Sequence, residues 1–152
     1  MAAERIFDQL LEVSLLLEAD MSRSLAALGL NVTKTHLMWE VQVNGPSTQQ
    51  HLAQAIGVSP RHVTGLVDAL ESDGFAQRRP HPSDRRAVLV GLTEKGTATM
   101  TTMQVQRSLA AAELVADLDD RRISQLEKSL AAVLGRLRPL VASADIQPDS
   151  TP

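Results

Sequence analysis

The stretch STQQHLAQAIGVSPRHVTGLVDALESDGFAQRRPHPSDRRAVLVGLTEKG, residues 47–96, decides the fold. Ser47-Thr48-Gln49-Gln50 fits a capping box, in which the Ser47 hydroxyl and the Gln50 side chain satisfy exposed amides reciprocally. The short helix it opens runs through Leu52, Ala53 and Ile56 and ends at Gly57. The chain then restarts at once. Ser59 is a good N-cap, Pro60 stands at N1 where its missing N–H costs nothing, and Val58 and Val63 have staple spacing. The second helix gathers Val63, Leu66, Val67 and Leu70 on one face and ends near Gly74. From Phe75 the period changes: residues 75–79 read as one strand and 87–92 (AVLVGL) as its return. The turn between them, Pro80 to Arg86, is too polar to bury, and two prolines restrict its backbone. Thr93 caps the helix that follows. Helix, tight glycine turn, helix and β-hairpin follow the order of a winged helix-turn-helix.

Outward from this block the chain is helical. Ile6, Leu10, Val13, Leu17, Met21, Leu25 and Leu28 recur at helical spacing over residues 3–28, and Leu11, Leu15 and Leu16 widen the stripe beyond one buried face. Gly29 suits a C′ position, with Leu30 placed against Leu25 as in a Schellman ending. Thr33 is the expected N-cap of the next helix, with Val32 and Leu37 as its staple. That helix holds Trp39, Val41 and Val43 and stops at Asn44-Gly45-Pro46. After the hairpin a long helix is expected over 93–117 and a last one over 119–141, carrying Ile123, Leu126, Leu130, Val133, Leu137 and Leu140. Residues 142–152, rich in Ala, Ser, Asp and Pro, read as a disordered tail. The fold class is mainly α, an α+β winged helix: a winged helix-turn-helix lobe over about 33–93, with further helices on both sides, in one domain over 1–141.

Composition removes several functions. The chain of 152 residues has one Trp, two Phe and no Tyr, so its core is aliphatic and it lacks aromatic platforms for stacking single strands. It has no Cys, which excludes disulfides, thiolate zinc sites, a cysteine nucleophile and thiol redox sensing. His36, His51, His62 and His81 are dispersed with no i,i+4 pair, and no metal or cofactor is expected. The first twenty residues carry Glu4, Asp8, Glu12, Glu18 and Asp20, unlike a signal peptide, and no apolar run reaches the ~18 residues of a membrane span. A cytoplasmic protein is the expectation. The formal charge is −3, yet residues 75–87 hold four arginines against Asp84 alone. Positive charge is focused on the hairpin.

In a helix-turn-helix the second helix enters the DNA major groove with its N-terminal part nearest the bases. Opposite the apolar row stand Arg61, Gly65, Asp68 and Ser72, with Thr64 at the flank. Arg61, His62 and Thr64 form the expected readout set, and Gly65 lets a backbone approach closely. Thr48, Ser59 and Pro60 lie at helix N-termini, where hydroxyls and free amides suit phosphate oxygens. Arg85 and Arg86 at the tip of a stiff loop suit a narrow minor groove, and Arg78 and Arg79 on the strand suit phosphates. Asp84 is read as a carboxylate that orients Arg86, with Asp68 as a further partner of the same arginine.

These residues carry a resemblance. Ser47-x4-Leu52-Ala53-x2-Ile56-Gly57-Val58-Ser59, then Val63-Thr64-x-Leu66-Val67-Asp68-x-Leu70-Glu71-x2-Gly74-Phe75, then Arg79-x4-Asp84-Arg85-Arg86-x5-Leu92-Thr93-x2-Gly96 resembles the MarR family of bacterial transcriptional regulators. Its most specific part is Asp84-Arg85-Arg86 followed by Leu92-Thr93-Glu94-Lys95-Gly96. The resemblance implies a homodimer whose dimerisation helices are about 3–28, 93–117 and 119–141. It also implies a ligand-responsive repressor acting on double-stranded DNA at a pseudo-palindromic operator, released by a small aromatic or phenolic effector. Leu17, Met21, His36, Trp39 and Met100 are the residues expected to line an effector cavity, although each taken singly reads more simply as core. Where many members carry Gln in the second helix's first turn, this chain has His36.

Two rival functions compete with this one. An enzyme has no support, because no nucleophile elbow, phosphate-binding glycine loop or paired-carboxylate spacing is present. A winged-helix dimer serving only as a protein-interaction scaffold is favoured by the acidic balance and disfavoured by the arginine-rich hairpin.

Overall fold

A computed structural model of the chain describes residues 1–84 and 87–144. The chain divides into two compact units, Met1–Gln104 and Val105–Pro152. The first holds α1 (Ala2–Ala27), α2 (Val32–Asn44), β1 (Ser47–Thr48), α3 (Gln49–Ile56), α4 (Pro60–Ser72), β2 (Ala76–Pro80), β3 (Val88–Leu92) and the start of α5 (Glu94–Leu114). The second holds the end of α5 and α6 (Asp120–Ala144). No described helix is long and apolar enough to cross a membrane.

The ends of these helices follow from local chemistry. Gly29 takes φ +72, and Leu30 and Gly29 donate their N–H groups to the carbonyls of Leu25 (2.9 Å) and Ala26 (3.0 Å). This is the Schellman ending that the sequence announced. It buries Leu30 and delivers the chain straight into α2, so the cap is Asn31, whose Oδ1 accepts from the Lys34 N–H at 2.9 Å, and not Thr33. The capping box at Ser47 is also corrected. Thr48 caps α3 by accepting from the His51 N–H at 3.2 Å. Ser47 instead lies in β1, its hydroxyl donating to the Gly45 carbonyl at 2.9 Å.

The sheet explains that shift. Its order is β1-β3-β2, all antiparallel, with Ser47 opposite Val90 and Arg78 opposite Val90 from the other side. The two-residue β1 is a third strand that the sequence reading lacks. The wing strands otherwise begin and end within a residue of expectation. α5 stops at Leu114 and not at about 117, while α6 continues to Ala144, so the first residues of the tail expected over 142–152 are helical. Residues 145–152 lie outside the described residues.

One core joins the elements of the first unit. Leu37, Met38, Leu52, Val63, Val67, Leu70 and Val90 are fully buried, drawn from α2, α3, α4 and β3. Leu25, Phe75 and Met100 complete the cluster, and Trp39 packs against it. Where the wing returns to α5, the two backbones approach closely and side chains close the joint. Thr93 donates its hydroxyl to the Gly74 carbonyl (2.6 Å) and accepts from the Gly96 N–H (3.0 Å). Any Cβ on Gly96 would collide with the Phe75 carbonyl oxygen. Lys95 closes the joint, donating to the Asp73 carbonyl at 2.6 Å and lying 4.3 Å from the centre of the Phe75 ring.

Candidate nucleic-acid interface

The turn between α3 and α4 sets the site. Gly57 takes the left-handed conformation (φ +70), and the Val58 N–H donates to the Ala53 carbonyl at 3.1 Å. Ser59 then accepts from the His62 N–H at 3.2 Å, with Pro60 at the first helical position. α4 therefore starts at a fixed point and turns Val63, Leu66, Val67 and Leu70 into the core. What remains outside is Arg61, His62, Thr64, Gly65 and Asp68, all exposed. The helix is thus held at both ends and along its back, and of this outer row Asp68 is engaged by the wing. Arg61 has no ion pair or hydrogen bond among the described residues. The hydroxyls of Thr48 and Ser59 spend a lone pair on their caps and keep the O–H proton, which suits an incoming anionic oxygen. Thr64 donates its hydroxyl back to the Pro60 carbonyl (3.1 Å), leaving lone pairs and its methyl to face outward.

An open concavity of about 470 Å³ lies on this face, lined by Ser59, Arg61, His62, Gly65 and Leu66. A second, of about 180 Å³, lies at the wing's base, lined by Val41, Gln42, Pro46, Arg79, Gly91, Leu92 and Thr97. Neither is lined by Leu17, Met21, His36, Trp39 or Met100. Leu17 and Met21 stand about half exposed on α1 (50% and 47%), and Met100 is a core residue. His36 is exposed, its Nε2 lying 3.8 Å from a Glu40 carboxylate oxygen.

The two described arginines of the wing, Arg78 and Arg79, are placed differently. Arg78 is held by α4: its backbone N–H donates to Glu71 (2.6 Å), and its guanidinium bonds Glu71 and also Asp68 at 2.7 Å. Partial burial works to lower the Arg78 pKa, but the bonds to Asp68 and Glu71, with their charges, outweigh it and raise it. Asp68, expected to pair with Arg86, is thus engaged with Arg78. Arg79, one position on, points elsewhere and has no partner among the described residues. Arg85 and Arg86 lie outside the described residues, and with them the orienting role given to Asp84. Two features of the site escaped the sequence reading. Glu71 is one, three residues after Asp68 on α4 and so able to share its arginine. His81 is the other. Its Nδ1 accepts from the N–H groups of Ser83 (3.2 Å) and Asp84 (3.1 Å), the task an Asn or Asp side chain performs in an Asx turn. Among the described residues, no three His, Asp or Glu side chains converge as metal ligands.

A family model, that of the MarR family, matches residues 30–88, which hold α2, the helix-turn-helix and the wing as far as the first residue of β3. The uncharacterized HTH-type transcriptional regulator YhbI of Bacillus subtilis is 31% identical over 108 residues, which is 71% of this chain and 70% of YhbI. The chain belongs to the MarR family. The HTH-type transcriptional repressor NicR of Pseudomonas putida is 32% identical over 100 residues, 66% of this chain, and the match spans 59% of NicR's length. Among solved MarR-like folds, Streptococcus pneumoniae FabT in complex with DNA superposes with a TM-score of 0.79 at 18% identity, covering 91% of this chain and 99% of FabT. That likeness bears on the fold, a winged helix, which the sequence motifs had indicated.

Proposed function

We propose that the chain is a sequence-specific double-stranded DNA-binding transcriptional regulator, a cytoplasmic repressor without catalytic activity. It acts as a homodimer on a pseudo-palindromic operator and is released by a small aromatic or phenolic effector. The observation that carries the reading is the outer face of α4. Its ends are locked, its back is buried, and Arg61 stands on it unpartnered among the described residues, with Arg79 equally free on the adjoining wing. The name of NicR, a repressor, and the DNA in the FabT structure support the same reading. Apolar side chains left exposed on α1 (Ile6, Phe7, Leu11, Leu15) and on α6 (Leu126, Leu130, Leu134, Leu137) support pairing with a second copy. Two-fold symmetry then places half-sites about one helical turn, ~10 bp, apart.

The test is a salt titration on duplexes selected from a random pool. Affinity should fall linearly with log[salt], with a slope of about −0.9 for each neutralised phosphate. A protein that serves only as an interaction scaffold binds no duplex at low ionic strength, and that result would overturn the reading. Phenolic acids added to the complex should release the DNA, and release without any change in free-protein oligomeric state is the expected pattern.

A further inference from the structure

Gly65 sits in the middle of α4, sixth of thirteen residues, where glycine weakens a helix relative to alanine. The chain itself requires some of its glycines: Gly57 takes a left-handed φ, and Gly96 has no room for a Cβ. Gly65 does neither. Its φ is not positive, and a Cβ built on it would meet nothing within 4 Å. Neither the backbone nor the packing asks for a glycine here, and the same holds for Gly135 in α6. But Gly65 lines a concavity beside hydrogen-bond donors, which points to something outside the chain. The space it leaves belongs to the concavity of about 470 Å³ lined by Ser59, Arg61, His62 and Leu66. Leu66, 8% exposed, shows it an apolar edge, while Arg61, His62 and Ser59 bring hydrogen-bond donors to the rim. The fitting occupant has a small apolar projection beside acceptor atoms. In the major groove thymine alone has that combination, a C5-methyl group next to the O4 acceptor.

We propose that Gly65 is a specificity-determining residue whose notch receives the methyl group of one thymine in each half-site. The inference rests on the DNA-binding reading above. It differs from a glycine that merely lets the helix approach a phosphate, which would improve binding to every sequence alike.

The experiment compares wild type and Gly65→Ala on a selected duplex and on a set in which each thymine is replaced in turn by deoxyuridine, which lacks the methyl. Gly65→Ala should fold and melt about 2–4 °C higher than wild type. Wild type should lose about fourfold in affinity at one deoxyuridine position per half-site, the worth of one buried methyl. Gly65→Ala should lose about tenfold on the parent duplex and clearly less on that deoxyuridine duplex, where its Cβ finds the vacated space. The proposal is overturned if no thymine position matters to wild type, if the alanine variant loses equally on all duplexes, or if it melts lower than wild type. If wild type binds no duplex at all, the DNA reading itself falls and takes this one with it; binding that ignores thymine methyls overturns this inference alone.

Discussion

Arg78 joins the recognition helix to the wing through three donors. Glu71 and Asp68 stand three residues apart on α4, a spacing that puts both carboxylates on one side of the helix, and β2 brings the guanidinium between them. The Glu71 arm is the better sheltered, since the Asp68 side chain is 62% exposed against 32% for Glu71. Charged hydrogen bonds of the sheltered kind are worth about 1.5–3 kcal/mol, and exposed ion pairs no more than about 1. Arg78→Ala should therefore lower stability by roughly 2 kcal/mol in urea unfolding, and Glu71→Gln should cost more than Asp68→Asn. Because the Arg78 pKa is raised, its contribution is complete below the pKa of the unfolded arginine and is lost only as pH climbs past the raised value, in strongly alkaline solution. The stability difference between wild type and Arg78→Ala should then owe no pH dependence near neutrality to the arginine itself. The two neighbours also part company on DNA. Arg79→Ala should flatten the salt dependence by about one unit, as the loss of a phosphate contact does, while Arg78→Ala should weaken binding and leave the slope unchanged. A slope flattened by about one unit in Arg78→Ala as well would show that Arg78 reaches the phosphates too.

At the scale of elements, the local signals were readable and the pairings between distant segments were not. Ser59-Pro60 and the glycines at 29 and 57 mark the ends of α4, α1 and α3, because a cap is made by residues within five positions of one another. Ser59→Ala should accordingly cost about 1 kcal/mol in thermal or urea unfolding. Asn31 against Thr33, by contrast, is a choice between two good capping residues, and the burial of Leu30 decides it. The β1 strand is two residues long, too short for any period, and exists only because Val90 lies beside Ser47. That pairing moves the cap from Ser47 to Thr48. The Glu71–Arg78 bond was hidden for the same reason, since a hairpin register has to be known before the arginine's neighbours are. Gly96 read as part of a motif, but its physical cause, the carbonyl of Phe75 against α5, appears only in three dimensions. Gly96→Ala should cost about 1–3 kcal/mol as the wing is forced from the helix, seen as an earlier melting midpoint. An alanine variant as stable as wild type would mean that the joint yields freely.

At the scale of the whole molecule, the single chain leaves much apolar surface in water. Within the first unit, α1 buries only Leu25 and exposes Phe7 (61%), Leu15 (65%) and Leu16 (64%). Within the second, α6 buries nothing among its described side chains and exposes Leu126 (42%), Leu130 (40%), Leu134 (45%) and Leu137 (49%) at spacings of three and four. A stripe with that period is what a helix shows to a partner, and burying one leucine is worth about 1.5–3 kcal/mol. The sequence showed this excess through the width of its apolar stripes, yet it could not show what covers them, since a face hidden in a core and one hidden in a dimer have the same pattern. A charge separates the two. Leu130→Asp places a carboxylate in the seam, where an unpaired ion is strongly disfavoured, while the lobe containing α4 keeps its own core. In sedimentation the wild type should run as a dimer and the variant as a monomer at micromolar concentration, with the helix-turn-helix still folded by circular dichroism. Its operator affinity should fall far more than that of any single arginine variant, because a lone lobe grips one half-site only. A variant that remains dimeric would mean that the α6 stripe is not the seam, and the half-site spacing of ~10 bp would lose its basis.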